Sequence, residues 1–380
     1  MRTFYRDTWA EINLKSIKEN IKAISALYEG KDTKIMAVVK ADGYGHGAVK
    51  VAEAALEAGA KHLGVALLDE ALQLRNAGIA APILVLGRTR PEDAVIAQAN
   101  QIKLTVFQLD WLREAEEALK ATSPSPLTIH LKFDTGMGRV GIREKAEAEA
   151  IAVYLKKRDL FRCEGLYTHF ATADEQELHY YHEQYQRFEA VLAWMRACDL
   201  EIPLIHCGNS AAGIRFPERN FNMFRLGISM YGLSPSPEMT PNLPIRLKPA
   251  FTLKSRLVHV KRLPQGEAIS YGATYRTSED EWIGTIPIGY GDGWIRANST
   301  KGGYVLINGK KAPFVGRICM DQCMVRLPEE VKVGTVVTLI GIDGAERITM
   351  DEVASRLETI NYEIPCIINQ RVPRIYLNEE

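Results

Sequence analysis

Lys40 ends an apolar run, Ile35 to Val39, and opens a glycine-broken turn that carries Tyr44 and His46. A lysine is seldom placed in apolar surroundings without a task. Desolvation lowers an amine's pKa and makes the neutral form available, as Schiff-base chemistry requires. Lys40 therefore reads as the aldehyde-binding lysine of a pyridoxal 5′-phosphate enzyme. Further along lie Arg139 in the glycine-rich GMGRVG, His169, Ser210, Arg225 and Tyr271. Together these would supply cations for carboxylate and phosphate groups, and a second proton-transfer group.

Elements must hold these residues at strand ends. Eight short apolar runs suit strands: 34–39, 62–67, 83–86, 102–107, 127–133, 163–169, 204–207 and 223–230. Amphipathic stretches lie between them, including Ala48–Ala58 and Asp69–Ala77, which stop at Gly59 and Gly78. Strand and helix in alternation, eight times, predict a (β/α)8 TIM-like barrel. A doubly wound sheet is the alternative. Lys40, Arg139, His169, Ser210 and Arg225 fall at or just past predicted strand ends, where barrels carry their chemistry, and this favours the barrel.

A proline-rich stretch, 234–249, ends that pattern. Beyond it, segments 251–263, 281–288, 304–307, 315–325 and 335–339 read as strands. Asn308-Gly309 signals a hairpin, and Thr349 stands at capping-box spacing from Glu352 before one helix. The expected division is a barrel domain over 1–240 and a mostly β C-terminal domain over 241–380. Trp9–Leu14 alternates like a strand and is expected on the C-terminal domain.

The 380 residues are 46% hydrophobic and 25% charged, with 47 basic and 47 acidic side chains. Zero net charge argues against nucleic acid or a membrane surface as partner. No apolar run approaches a membrane span. The opening MRTFYRDTWAEINL lacks a basic-then-apolar leader pattern, so a cytoplasmic location is expected. Six cysteines form no CxxC pair, and no metal site is expected.

Nine motifs occur in order along both domains: Lys40 with Tyr44, then HLKFDTGMGRVG, THFATAD, HCGNSAA, FRLGISMYG, SYGATY, IPIGYGDG, GRICMDQ and INYEIPC. Together they resemble alanine racemase. The resemblance implies pyridoxal 5′-phosphate as cofactor and a homodimer with shared active sites. It implies L- and D-alanine interconversion by two bases, supplying D-alanine for peptidoglycan. Lys40 would serve the D-isomer, and Tyr271 from the other subunit the L-isomer, with His169 and Arg225 in support. Tyr44, Ser210, the Gly227 and Ile228 amides and Tyr362 would hold the phosphate. Arg139 and the partner's Met320 amide would take the substrate carboxylate. Tyr290, Tyr362, Asp174, Arg296 and Arg317 would narrow the entrance.

Arg225 would face the cofactor's ring nitrogen, where many such enzymes place an acid. An arginine only donates, so the ring should be a weaker electron sink and transamination should be suppressed. In many relatives the lysine matching Lys132 is carbamylated; a plain lysine–carboxylate pair with Asp134 is the alternative. Asp42 and Gly43 replace the Asn and Ala of many relatives, which leaves the role of Asp42 open. His46 and His206 read as structural histidines. The competing functions are a racemase of broader spectrum (serine or basic amino acids), a decarboxylase on the same architecture, and a carrier of the cofactor without catalysis. The last lacks a use for the β-domain.

Overall fold

The computed structural model describes residues 4–120 and 125–378. Its contacts divide it into two units. One comprises residues 16–43 and 48–248, and the other residues 1–15, 44–47 and 249–380. The second begins at Pro249 rather than 241 and takes in the chain's first strand and the Tyr44–Gly47 turn. The first strand belongs to this unit through strand pairing. Thr8–Asn13 runs antiparallel to Phe251–Arg256 and parallel to Arg374–Leu377, as its alternation suggested.

In the first unit, all eight expected runs form strands: Lys34–Val38, His62–Val65, Ile83–Val85, Ile102–Val106, Leu127–Lys132, Phe161–Tyr167, Leu204–His206 and Met223–Leu226. Each pairs in parallel with its neighbours, and the last pairs with the first, closing a barrel. The helices that follow bury one face each. In Ala48–Glu57 the buried side is Ala48, Val51, Ala52, Ala54 and Ala55, at the i, i+3, i+4, i+7 spacing of a helix on a sheet. Among the described residues no helix is long and apolar enough to cross a membrane.

The barrel interior is chemically two-sided. Met36, Leu84, Leu204 and Met223 form one apolar cluster with Leu86 against it. Thr105, His130, Lys132, Tyr167, His206 and Arg225 are also buried on barrel strands. That polar set lies where the remaining interior needs hydrogen-bond partners.

The second unit holds a seven-stranded sheet, a three-stranded sheet and a two-stranded ribbon. Asn308 and Gly309, both at positive φ (50° and 74°), turn Tyr304–Ile307 into Lys310–Pro313, as the Asn-Gly pair requires. Thr349 accepts from the Glu352 N–H at 3.0 Å and caps Met350–Leu357. Two expected strands need correction. Residues 251–263 break into Phe251–Arg256 and His259–Leu263, which join different sheets. Of residues 315–325, only Cys323–Val325 is strand. Gly316 at φ 68° and a bond from the Cys319 N–H to the Gln322 carbonyl (2.8 Å) turn the rest into a tight loop.

Candidate active site

Lys40 follows directly on five buried residues, Ile35 to Val39, and is itself half-buried. The chain then turns left-handed. Ala41, Asp42, Gly43, Tyr44 and Gly45 all have φ between 52° and 76°, a conformation that costs non-glycine residues roughly 1–2 kcal/mol each. Local bonds hold it. The Gly43 N–H donates to the Val39 carbonyl (2.8 Å), and the Ala41 N–H to Glu70 Oε1 (2.7 Å). Asp42 has a role here. Its carboxylate accepts from the Ala48 N–H at 2.9 Å, satisfying an otherwise orphaned donor at the start of Ala48–Glu57. Aspartate also tolerates positive φ better than most residues.

Arg225 is the centre of the barrel cluster. It is 4% exposed. Nη1 donates to His206 Nδ1 (2.9 Å) and the His206 carbonyl (3.2 Å); Nη2 donates to His169 Nδ1 (3.1 Å) and the carbonyls of Thr168 and Cys207 (2.8 and 3.1 Å). The guanidinium also lies over the Tyr167 ring at 5.2 Å. Every one of these partners is uncharged. Nε has no acceptor among the described residues, so one N–H of a nearly buried cation is available to a ligand. His169 must accept at Nδ1, because arginine can only donate, and a neutral ring then carries its proton on Nε2. Its pKa is held well below the usual histidine range by burial first, then by Arg225, Arg139, Lys132 and Lys40.

Lys132, 4% exposed, sits with its Nζ 5.5 Å from the Tyr167 ring centre. Burial, then Arg139 and Arg225, lower its pKa from 10.5 to about 8. The alternative pairing with Asp134 is absent. Among the described residues Lys132 has no carboxylate within ion-pair distance, and Asp134 instead accepts the Gly136 and Gly138 N–H groups (3.0 Å each). That carboxylate ties down the loop that carries Arg139. Arg139 is exposed and has no hydrogen-bond acceptor among the described residues.

Ser210 does not cap the helix it opens, Ser210–Arg215. Asn209 does, accepting from the Ala212 N–H at 3.0 Å. The Ser210 hydroxyl, 4% exposed, accepts the Gly227 N–H at 2.9 Å, so two of the expected phosphate donors are bonded to one another. Ile228 follows at the start of the short helix Ile228–Tyr231. Asp174 is half-buried, and burial raises its carboxyl pKa.

The β unit gathers the other expected residues into two groups. Tyr44 (8% exposed) and Tyr362 have ring centres 6.3 Å apart. Tyr271 lies on a turn between the ribbon strands Ala268–Ile269 and Tyr275–Arg276, with Ser270, Gly272 and Ala273 at positive φ. It is 65% exposed. Ser270 Oγ donates to the Arg317 carbonyl at 2.5 Å, the Tyr290 N–H to the Cys319 carbonyl at 3.1 Å, and the Gly291 N–H to the Met320 carbonyl at 2.8 Å. Ser299 Oγ accepts the Ile318 N–H at 3.1 Å, joining the Arg296–Ser299 turn to the same loop. One tight loop thus brings Tyr271, Tyr290, Arg296, Arg317 and Met320 into one neighbourhood. Its large side chains are exposed: Tyr290 and Met320 are 43% and 52% accessible.

Sequence reasoning missed Tyr167 and gave His206 no role. Tyr167 stacks on His206 (ring centres 4.7 Å, planes 7° apart) and shares a bond with Thr105 (2.8 Å). Strand parity was the available signal: His130 and Lys132 alternate on one strand with apolar Ile129 and Leu131, so polar residues share one face.

The chain matches two family models along most of its length, alanine racemase N-terminal domain over residues 12–235 and alanine racemase C-terminal domain over residues 250–376. It is 59% identical to an alanine racemase of Halalkalibacterium halodurans, covering 100% of this chain and 97% of the relative. It is 56% identical to one of Geobacillus stearothermophilus, covering 100% and 96%. The crystal structure of alanine racemase from Bacillus anthracis with bound L-Ala-P superposes with a TM-score of 0.95 at 49% identity, covering 100% of this chain and 97% of that one. Its barrel, its mostly β second unit and these likenesses together establish that the chain belongs to the alanine racemase family of amino-acid isomerases.

Proposed function

We propose that this protein interconverts L- and D-alanine with pyridoxal 5′-phosphate, using two bases contributed by two subunits of a homodimer. The observation that carries the reading is Arg225: a nearly buried cation with neutral partners and one N–H left for a ligand. The donor set fits the cofactor. Ser210 and Ile228 would offer a buried hydroxyl and an amide, the Gly227 N–H, which here donates to Ser210 Oγ, would turn to the phosphate, and glycine permits close backbone approach to it. Tyr44 and Tyr362 would add two phenols. Bound there, the cofactor would supply an aldehyde for Lys40 and a ring that spreads negative charge developing at the substrate's Cα.

The remaining work falls to the chain's own side chains. Arg139, with no acceptor of its own, would take the substrate carboxylate, aided by the partner's Met320 amide. Lys40 Nζ would remove or return the Cα proton on one face. The Tyr271 hydroxyl would do so on the other. Phenols in general are poor bases at neutral pH, and a proton on His169 Nε2, backed by Arg225, would stabilise the phenolate. The exposure of Tyr271 within its own chain suits a residue that completes a partner's site. The lowered pKa of Lys132, about 8, raises the fraction of neutral amine relative to an ordinary lysine; uncharged amines add CO₂, and the resulting anion would orient Arg139. Asp174, Tyr290, Tyr362, Arg296 and Arg317 would line the entrance, and the enzyme would supply D-alanine for peptidoglycan in the cytoplasm.

A circular-dichroism assay over alanine, serine, lysine and arginine tests the reading. Fast inversion of alanine, with slow or no inversion of the others, is expected. Decarboxylation without inversion overturns it.

A further inference from the structure

Arg225 poses an electrostatic question that its immediate contacts leave open. A buried cation is costly unless paired. Among the described residues no carboxylate lies within ion-pair distance of it. A continuous chain of hydrogen bonds does lead from it to one. Arg225 Nη1 meets His206 Nδ1 at 2.9 Å, His206 Nε2 meets His130 Nδ1 at 2.9 Å, and His130 Nε2 meets Glu164 Oε2 at 3.1 Å. Lys103 Nζ binds the same carboxylate oxygen, and Arg162 Nη2 lies 3.9 Å from the other.

The two ends fix the direction of this chain. Guanidinium can only donate and carboxylate can only accept. His206 must therefore accept at Nδ1 and carry its proton on Nε2; His130 must do the same and pass its Nε2–H to Glu164. Both rings are fully buried, and burial first, with neighbouring cations, lowers both pKa values and keeps them neutral. Burial alone would raise the Glu164 pKa, but hydrogen bonds from His130 and Lys103 outweigh it and hold the value at about 2. The chain therefore ends in a permanent anion.

Three backbone and packing features are arranged around the two rings. A side chain at Gly165 would place its Cβ 2.2 Å from His130 Nδ1, so glycine there makes room for the imidazole. The pairing of Leu127–Lys132 with Phe161–Tyr167 slips between Ile129 and His130, which leaves Glu164 as the extra residue of a bulge. Bulges re-aim side chains and are uncommon between parallel strands. Tyr167, stacked on His206, fixes that ring from the side. His62, Lys34 and Cys163 also face this end: burial first, then Lys103, lowers the His62 pKa to about 4, and burial first, then Glu164, raises that of Cys163.

We propose that Glu164, acting through His130 and His206, is a positioning residue for Arg225: as the accepting end of a one-way hydrogen-bond relay it fixes both imidazole tautomers and so orients the guanidinium. The relay's role in turnover rests on the racemase reading above, and alanine turnover by the unaltered enzyme tests that reading separately. The relay itself is tested by ¹⁵N NMR of histidine-labelled holoenzyme, with His130→Asn and His206→Asn assigning the signals. Both rings should carry the proton on Nε2. A proton on Nδ1 of either overturns the relay, whatever the enzyme's activity. Two variants then separate charge from shape. Glu164→Gln keeps an acceptor, and Glu164→Leu removes both acceptor and charge. The leucine variant should lose about tenfold in kcat, as outer-shell partners of functional histidines commonly do, with KM changed less than about twofold. It should also shift the His206 ¹⁵N signals and the visible band of the bound cofactor, with glutamine intermediate in all three. Unchanged kcat, signals and band in both variants would overturn the proposal, as would equal losses accompanied by equal falls in melting temperature. Should the leucine variant fail to fold, the tautomers of the unaltered protein and the glutamine variant decide.

Discussion

Arg225 and Tyr271 belong to regions built on opposite principles. Arg225 is 4% exposed and all its hydrogen bonds are made within its own unit; Tyr271 is 65% exposed on a turn pinned by a neighbouring loop. The barrel cluster is complete except for one guanidinium N–H and an exposed Arg139. The β-unit group presents two tyrosines and a methionine to solvent. Burial can tune a group through desolvation and fixed neighbours, and His169 and Lys132 are both shifted in that way. An exposed phenol has no such environment until another surface covers it. The difference teaches that the barrel prepares chemistry inside one chain, whereas the tyrosine's chemistry depends on what it meets.

The strongest attempt to break that contrast is loss of Lys40. Lys40→Ala should abolish racemisation and borohydride-fixed cofactor, with a loss beyond the roughly 10²–10⁴-fold of one acid–base group, because it also removes the covalent anchor. Tyr271→Phe should cost about 10²–10⁴-fold in racemisation. It should still allow solvent exchange of the D-alanine Cα proton, followed by proton NMR in deuterated water; equal loss of exchange from both isomers would contradict separate bases. Mixing these two inactive variants sharpens the comparison further. Subunits that share sites should regain activity as hybrids, and no recovery after proven subunit exchange would place Tyr271 outside the partner's site.

Smaller effects concern Lys132 and Asp42. The Lys132 pKa lies at about 8 in the folded protein against 10.5 ordinarily. Between those values the folded chain binds fewer protons than the unfolded one, so this residue makes stability rise with pH across that window. Uptake of ¹³C-labelled CO₂ at Lys132 should likewise grow as pH rises through about 8, and Lys132→Ala should remove the carbamate signal. Asp42→Ala should lower stability by about 0.5–2 kcal/mol, the usual worth of a carboxylate at a helix start. Denaturant unfolding measures it, and Asp42→Asn should recover most of the loss.

Much of this was legible in the residue order. Apolar runs alternating with amphipathic stretches specify parallel strands and covering helices, because each element must bury one face. The same logic found the Asn308-Gly309 hairpin and the Thr349 cap. It failed at residues 315–325. There an apolar stretch resembles a strand by composition, but Gly316 at positive φ and the Cys319–Gln322 turn bend it into the loop that carries Met320. His206 is, as expected, a buried histidine with both ring nitrogens bonded, but a lone histidine in a strand does not show which partners it joins.

Local periodicity and motif order thus determined the barrel, the β-rich second part and the residues suited to carbon-acid chemistry. Tertiary structure alone decided that Arg225 has only neutral direct partners, that Lys132 is separated from Asp134, and that Glu164 reaches the guanidinium through two imidazoles. The physical reason is that hydrogen-bond direction and desolvation depend on which side chains several strands bring face to face, whereas patterning along one strand records only which face is buried.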